Sequence, residues 1–128
     1  MATDQCYKAR NNFKVLFAAA CRANGFSKGG KHTFSLLWYS YEEYCAHIER
    51  LFLLPGNEWM NWENQGTSTW RNPCDPNDKS TWRWHLDHKT AQSKLPWITT
   101  QDDNFKKCWA LDNLQPLLDK TNMSKGNR

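Results

Sequence analysis

The spacing of apolar residues in the first segment predicts an amphipathic helix from about Asp4 to Arg22. The side chains that recur at the intervals of one helical face are Phe13, Leu16, Phe17, Ala20 and Cys21. The basic residues of the segment lie mostly off this face. Asn24 and Gly25 are expected to end the helix, and a basic loop with two glycines follows.

A second helix is predicted to begin at Ser40, because Glu43 follows three residues later and completes a capping box. Pro55 and Gly56 are expected to stop it. Its buried stripe is predicted to comprise Tyr44, Ile48, Leu51 and Phe52. We interpret His47 on the same helix as a structural or surface residue.

The second half of the chain has the pattern of short elements joined by irregular segments. Residues 57–80 are rich in Trp, Asn, Pro and Gly and predict a long irregular connection. Bulky residues predict a strand over 82–86, and a short helix is expected over about 102–110. Residues 114–118 predict a second strand, whose proline favours an edge position. A last short helix is expected over 120–127.

Helices followed by short strands predict an α+β fold in a single domain. A chain of 128 residues is long enough for one domain with a buried core. We divide it into a helical part at 1–56, a Trp-rich connection at 57–81 and a C-terminal part at 82–128. Eight Trp, four Tyr and six Phe exclude a largely disordered chain, because disordered chains are poor in aromatic residues.

The sequence also bears on the compartment of the protein. It has no apolar run near the roughly 18 residues of a membrane span, and its N-terminus lacks the apolar core of a signal peptide. We therefore expect an intracellular protein with no membrane partner. The five cysteines are scattered and never form Cys-x-x-Cys. This pattern indicates thiols in a reducing compartment rather than a disulfide framework.

The net charge of +4 is unevenly distributed along the chain. Residues 1–31 carry six Lys and Arg against one acid, and residues 82–128 carry eight against five. Residues 32–81 carry only three against seven acids. Two basic ends around an acidic middle indicate a polyanionic partner contacted by both ends. The alternative is a set of ordinary solvated charged faces.

An aspartate and a histidine stand next to each other at the end of the predicted strand 82–86. The Asp87 carboxylate is a hard oxygen ligand suited to Mg²⁺ or Mn²⁺. The His88 imidazole, which titrates near neutral pH, is suited to take a proton from an attacking water. Asn122 offers a carbonyl oxygen as a second ligand. One carboxylate and one amide would leave the cation much of its charge, which stabilises a phosphorane-like transition state.

Three stretches around these residues together resemble the HNH endonucleases, the ββα-metal nuclease superfamily. They are Trp84-His-Leu-Asp-His88, Asp112-Asn-Leu-Gln-Pro-Leu117 and the segment from Asn122 to Arg128. The match is to a phage- and intron-associated branch with a Trp-His-x-Asp-His motif. It extends upstream to Tyr41-Glu-Glu-Tyr, His47-Ile-Glu and Trp62-Glu-Asn, so the resemblance covers residues from about 40 to 128.

The resemblance implies a metal-dependent DNA endonuclease built on a two-stranded antiparallel hairpin and a C-terminal helix. It implies that His88 is the general base and that Asp87 and Asn122 hold one Mg²⁺, Mn²⁺ or another divalent cation. Asn113 would hold the loop that orients His88. Cleavage would leave 5′-phosphate and 3′-hydroxyl ends.

The resemblance also sets expectations about DNA contacts. Lys125 and Arg128 would contact phosphates beside the site. Because the acidic middle of the chain should repel DNA, we expect a second phosphate-contacting surface in the basic first segment. Its predicted members are Lys8, Arg10, Lys14, Lys28 and Lys31.

Many relatives of this family hold a structural zinc with two cysteine pairs. Leu118 and Thr121 stand where the second pair would lie, so we expect no structural zinc. The Trp-rich core would then stabilise the fold instead. An alternative zinc site could draw on Cys74, His85, His88 and Cys108, although their spacing matches no usual zinc module.

Some of the singled-out residues also fit a purely structural role. His85 is a further ligand or phosphate contact, or else a packed structural residue. Asn113 and Asn122 could also be ordinary turn and cap residues. The tryptophans expected in the core rather than in base stacking are Trp59, Trp62, Trp70, Trp82 and Trp84. The rival functions are a non-catalytic DNA-binding module and a nuclease for RNA or branched nucleic acid.

Overall fold

The computed structural model describes residues 4–26, 33–66, 75 and 77–118, with side chains in the first helix from Ala9 onward. This part of the chain has an α+β fold with three α-helices and one two-stranded sheet. The elements are α1 (Asp4–Ala23), α2 (Tyr41–Phe52), β1 (Trp84–His88), α3 (Asp103–Trp109) and β2 (Leu114–Leu118). The predicted helix at 120–127 lies outside the described residues.

The first helix buries the predicted face with one exception. Its buried side chains are Ala9, Phe13, Phe17, Ala20 and Cys21. Leu16 is 37% exposed, so the prediction that it is buried was wrong. At 100° per residue Leu16 falls on the margin of the stripe. Gly25 follows the helix with φ +72°, a left-handed conformation that glycine adopts without steric cost.

The second helix begins as its capping box predicts. The Ser40 hydroxyl oxygen accepts the Glu43 backbone N–H, and a Glu43 carboxylate oxygen accepts the Ser40 N–H. Tyr44 and Ile48 are fully buried, whereas Leu51 and Phe52 are only half-buried. The helix ends at Phe52, ahead of the predicted stop.

The two strands pair antiparallel, and the second has the predicted bounds. The first begins at Trp84 rather than Trp82, because residues 79–81 form a 3₁₀ turn capped by the Asp78 side chain. Asp87 and His88 therefore lie inside β1, not after it as the sequence suggested. On the other side of β1, Gln65 bridges Trp84, and the Gly66 N–H donates to the Trp84 carbonyl oxygen at 2.7 Å.

One buried aromatic cluster joins the helices to the sheet. Trp109 of α3 is fully buried between Phe13 and Phe17 of α1, with ring centroids at 5.6 and 5.0 Å. Trp84 of β1 is also fully buried, as predicted. The other tryptophans expected in the core are less enclosed: Trp59, Trp62 and Trp82 are half-buried, and Trp70 lies outside the described residues.

None of the helices that the structure describes combines the length and the apolar character needed to cross a membrane. Cys21, Cys45 and Cys108 carry thiols rather than disulfides. Burial raises the pKa of the Cys108 thiol to about 12, so this group stays protonated near neutral pH.

Candidate functional site

Asp87 and His88 lie on opposite faces of β1. Side chains alternate along a strand, so His88 shares a face with Trp84 and Leu86, which are both buried. Asp87 shares the other face with His85. The His88 side chain thus lies on the core side of the sheet, and the Asp87 side chain lies on the reverse side.

The carboxylate of Asp87 is held from across the sheet. Asp87 is 7% exposed and pairs in register with Gln115 of β2. The Gln115 Nε2 group donates a hydrogen bond to Asp87 Oδ2 at 2.8 Å. Because the amide is neutral, this bond orients the carboxylate without neutralising it. A negatively charged oxygen donor in this position suits a hard divalent cation.

The ring of His88 packs edge-on against the core. Its centroid lies 4.6 Å from that of Trp109, with the ring planes at 88°. Its Nε2 atom is inaccessible to solvent. Since Trp109 is itself enclosed by α1, the packing of three elements sets the orientation of this imidazole.

Asn113 connects the end of β1 to the end of α3. Its Oδ1 atom accepts the Thr90 backbone N–H at 2.8 Å, and its backbone carbonyl accepts the Lys89 N–H at 2.8 Å. Its Nδ2 group donates to the carbonyl oxygens of Cys108, at 2.9 Å, and Thr90, at 3.3 Å. Asn113 therefore holds both residues that follow His88, while its own place in a 3₁₀ turn also fits the simpler interpretation of a turn residue.

A second histidine supports the same end of the sheet. His47 of α2 donates from Nε2 to the carbonyl oxygen of Leu114 at 2.8 Å. Leu114 is the cross-strand partner of His88. This contact fits the interpretation of His47 as structural, but the sequence contained no signal for its partner, 67 residues away.

His85 packs closely against the backbone of Gly66. A Cβ atom built at Gly66 would overlap the Nε2 and Cδ2 atoms of the imidazole. Only glycine lets the chain approach this near. The contact fits the packed structural role that the sequence left open for His85.

The donor groups expected for a metal are only partly within the described residues. No group of three or more His, Cys, Asp or Glu side chains in that part of the chain is arranged to hold a metal ion. The set inferred from the sequence is of a different kind, one carboxylate and one amide. Its carboxylate, Asp87, has the right chemistry, while Asn122 lies outside the described residues, as do Cys74, Thr121, Lys125 and Arg128.

Of the basic residues of the first segment that are expected to contact phosphates, the structure describes the side chains of two, Arg10 and Lys14. The Arg10 guanidinium lies 4.6 Å from the centroid of the Tyr41 ring and 3.9 Å from a Glu42 oxygen, so its charge is partly engaged. Lys14 is half-buried. The Lys8 side chain, Lys28 and Lys31 lie outside what the structure describes.

One exposed aromatic side chain was not anticipated. Trp38 is 57% exposed, with Phe105 at 5.8 Å from its ring and the Lys106 Nζ atom at 5.7 Å. Its sequence context, Leu-Leu-Trp-Tyr, is typical of a core segment, so the sequence gives no sign that Trp38 is exposed. A shallow cavity of about 440 Å³ lies beside it, lined by Arg10 and by residues 34 and 37–43. The cavity contains none of the residues expected to be catalytic.

Comparison with protein-family models, with curated proteins and with solved structures found no match to this chain. The interpretation of the site therefore depends on its motifs and its geometry. The geometry places Asp87 and His88 on opposite faces at the paired ends of β1 and β2, with Asn113 bonded to the two residues that follow His88.

Proposed function

We propose that this protein is a metal-dependent DNA endonuclease with an HNH-type site. In this proposal His88 is the general base, and Asp87 and Asn122 hold one divalent cation. The observation that carries it is the set of hydrogen bonds by which Asn113 holds the residues after His88. The three sequence motifs that resemble the HNH endonucleases support it independently.

The bonds of Asn113 favour this proposal over an ordinary turn. A turn-forming asparagine mainly bonds backbone groups two or so residues away. Asn113 instead reaches Thr90, which is 23 residues away in sequence and directly after the Asp-His-Lys segment. Such bonds restrain the segment that carries the proposed base, and restraint of this kind supports catalysis by positioning.

The proposal assigns the described strands to the hairpin of a ββα-metal site. The helix predicted over 120–127 would supply the rest of the motif and the second ligand, Asn122. Lys125 and Arg128 would contact the phosphates beside the scissile bond. These contacts would fix the position of the strand without reading its sequence.

The chemistry follows from these placements. When bound, the cation supplies positive charge against the transition state and the leaving 3′ oxygen. His88 accepts a proton from a water molecule. The water oxygen bonds to phosphorus as the bond to the 3′ oxygen breaks, and the 3′ oxygen takes up a proton from a solvent water. The products carry 5′-phosphate and 3′-hydroxyl ends.

A plasmid-cleavage assay tests the proposal. Supercoiled DNA should be cut in the presence of Mg²⁺ or Mn²⁺ and remain intact in EDTA. His88→Gln should abolish cutting while DNA binding stays near that of the wild type, because the base is lost. Since the imidazole also packs on Trp109, the melting temperature is measured to confirm that the variant is folded. His47→Gln is the matched control, since it removes an imidazole elsewhere and keeps a hydrogen-bond donor toward Leu114.

Three outcomes would contradict the proposal. Full activity in His88→Gln would exclude His88 as the base. DNA binding without any metal-dependent cleavage would favour a non-catalytic module, and cleavage confined to RNA or branched substrates would favour that kind of nuclease. DNA ligase should reseal the nicked product if the ends are those proposed.

A further inference from the structure

We propose that Gln115 is a positioning residue for the metal-ligating carboxylate of Asp87, an inference that rests on the proposed function. The two residues face each other directly across the sheet. The amide of Gln115 donates to Asp87 Oδ2 at 2.8 Å, a distance typical of a strong hydrogen bond. The bond restrains rotation of the carboxylate.

The surroundings of this pair argue against a purely structural role. The neighbouring cross-strand partners of β2 are Leu86 opposite Pro116 and His88 opposite Leu114. Asp87 is 7% exposed, and enclosing a carboxylate is unfavourable when stability alone matters. Replacing buried charged groups by apolar residues of similar volume is often neutral or stabilising.

The Gln115 amide that donates to Asp87 is neutral, and this matters for binding a cation. A lysine or arginine opposite Asp87 would also orient the carboxylate, but its charge would compete with a bound cation. Glutamine orients the group and adds no charge of its own. Partners of this kind, one shell outside the metal ligands, set the orientation and basicity of those ligands.

Residues in β2 and just before it thus restrain both the Asp87 carboxylate and the segment that follows His88. Asn113, just before β2, restrains the chain after His88, and Gln115, within β2, restrains Asp87. Their spacing of two residues follows from the register of the sheet, which places Gln115 opposite Asp87.

The test compares two substitutions at one position. Gln115→Met keeps the length of the side chain and removes the donor, whereas Gln115→Lys keeps a donor and adds a positive charge. Mn²⁺ affinity is measured directly on the purified protein by electron paramagnetic resonance. The Mn²⁺ concentration for half-maximal plasmid cleavage is measured in parallel.

We expect Gln115→Met to weaken Mn²⁺ binding about 10- to 100-fold, the usual effect of removing such a partner. Gln115→Lys should weaken it further. Melting temperatures in EDTA should fall somewhat, because Asp87 loses a hydrogen-bond donor. The Mn²⁺ affinity of the folded variants is the readout that a purely structural role would not change. Gln92→Met, at an exposed position, is the matched control and should leave the affinity unchanged.

The outcomes separate the two proposals. A wild-type protein that cleaves DNA, together with unchanged Mn²⁺ affinity in Gln115→Met, would overturn the role of Gln115 alone. A wild-type protein that binds Mn²⁺ through Asp87 but cuts no DNA would overturn the proposed function alone. A wild-type protein that binds no Mn²⁺ would overturn both.

Discussion

At the scale of single residues, the amide of Asn113 makes three hydrogen bonds, all of them to backbone groups. It is 8% exposed and spans from Thr90 to Cys108. A buried polar side chain with this many backbone partners leaves several groups unsatisfied when it is removed. The same residue therefore contributes to stability and to the geometry near His88.

Asn113→Ala should lower the free energy of unfolding by about 1–3 kcal/mol, because the Thr90 N–H and the Cys108 carbonyl lose their partners. Urea unfolding followed by tryptophan fluorescence measures this change. The matched control is Asn104→Ala, which removes a more exposed bond to the Pro96 carbonyl and should have a smaller effect. An equal loss in the two variants would contradict the account of Asn113.

At the scale of secondary-structure elements, the carboxylate of the residue just before α3 holds the loop that leads into the helix. Asp102 makes no cap bond to the helix itself. One of its oxygens instead accepts the N–H groups of Ile98 and Thr99, at 2.8 and 3.1 Å. These bonds, first that from Ile98 and then that from Thr99, hold the pKa of Asp102 below its usual 3.8.

This lowered pKa predicts a pH-dependent contribution to stability. A carboxyl group with a lower pKa in the folded state stabilises the fold above its unfolded pKa, and the effect is lost as the pH falls through the folded value. Asp102→Ala should therefore lower the melting temperature at pH 7, and the difference from wild type should shrink below about pH 4.

Melting curves between pH 7 and pH 2.5 measure the effect. Asp112→Ala removes another exposed carboxylate and is the control, which should show a smaller and flatter difference. If the melting-temperature difference between Asp102→Ala and the wild type stayed constant down to the lowest pH, the charge of Asp102 would have no part in holding Ile98 and Thr99.

At the scale of the whole molecule, the charge distribution bears on how DNA would be held. The acidic middle of the chain includes α2, where Glu42 lies 3.9 Å from Arg10. Arg10 is therefore partly neutralised by the segment expected to repel DNA. The lysines of the first 31 residues stay the predicted phosphate contacts.

Replacing Lys14, Lys28 and Lys31 together with Gln should weaken DNA binding at all sequences. The slope of log affinity against log salt should fall by about 0.9 for each phosphate that the variant no longer neutralises. Fluorescence anisotropy with two unrelated duplexes measures both quantities. Lys79→Gln, in the acidic middle of the chain, is the control and should change neither. A triple variant with wild-type affinity and slope would show that this charge is only a solvated face.

Local sequence signals predicted much of the fold at the level of its elements. The capping box placed the start of α2, the apolar period placed α1, and the predicted bounds of α3 and β2 agree with the structure within one residue at each end. These features depend on interactions between residues a few positions apart. The sequence also singled out Asp87, His88 and Asn113 as neighbours in a motif, though their roles stay predictions.

Tertiary structure decided what no local pattern contains. In the folded structure Leu16 and Trp38 are exposed, and β1 begins two residues later than the sequence predicted. The ring of His88 packs against Trp109. The fold also pairs Asp87 with Gln115, although 28 residues separate them in the chain. Sheet register and the packing of distant side chains set these contacts, and both depend on the whole buried cluster rather than on adjacent residues. The sequence alone thus determined the elements and the candidate groups, whereas the fold determined which groups meet.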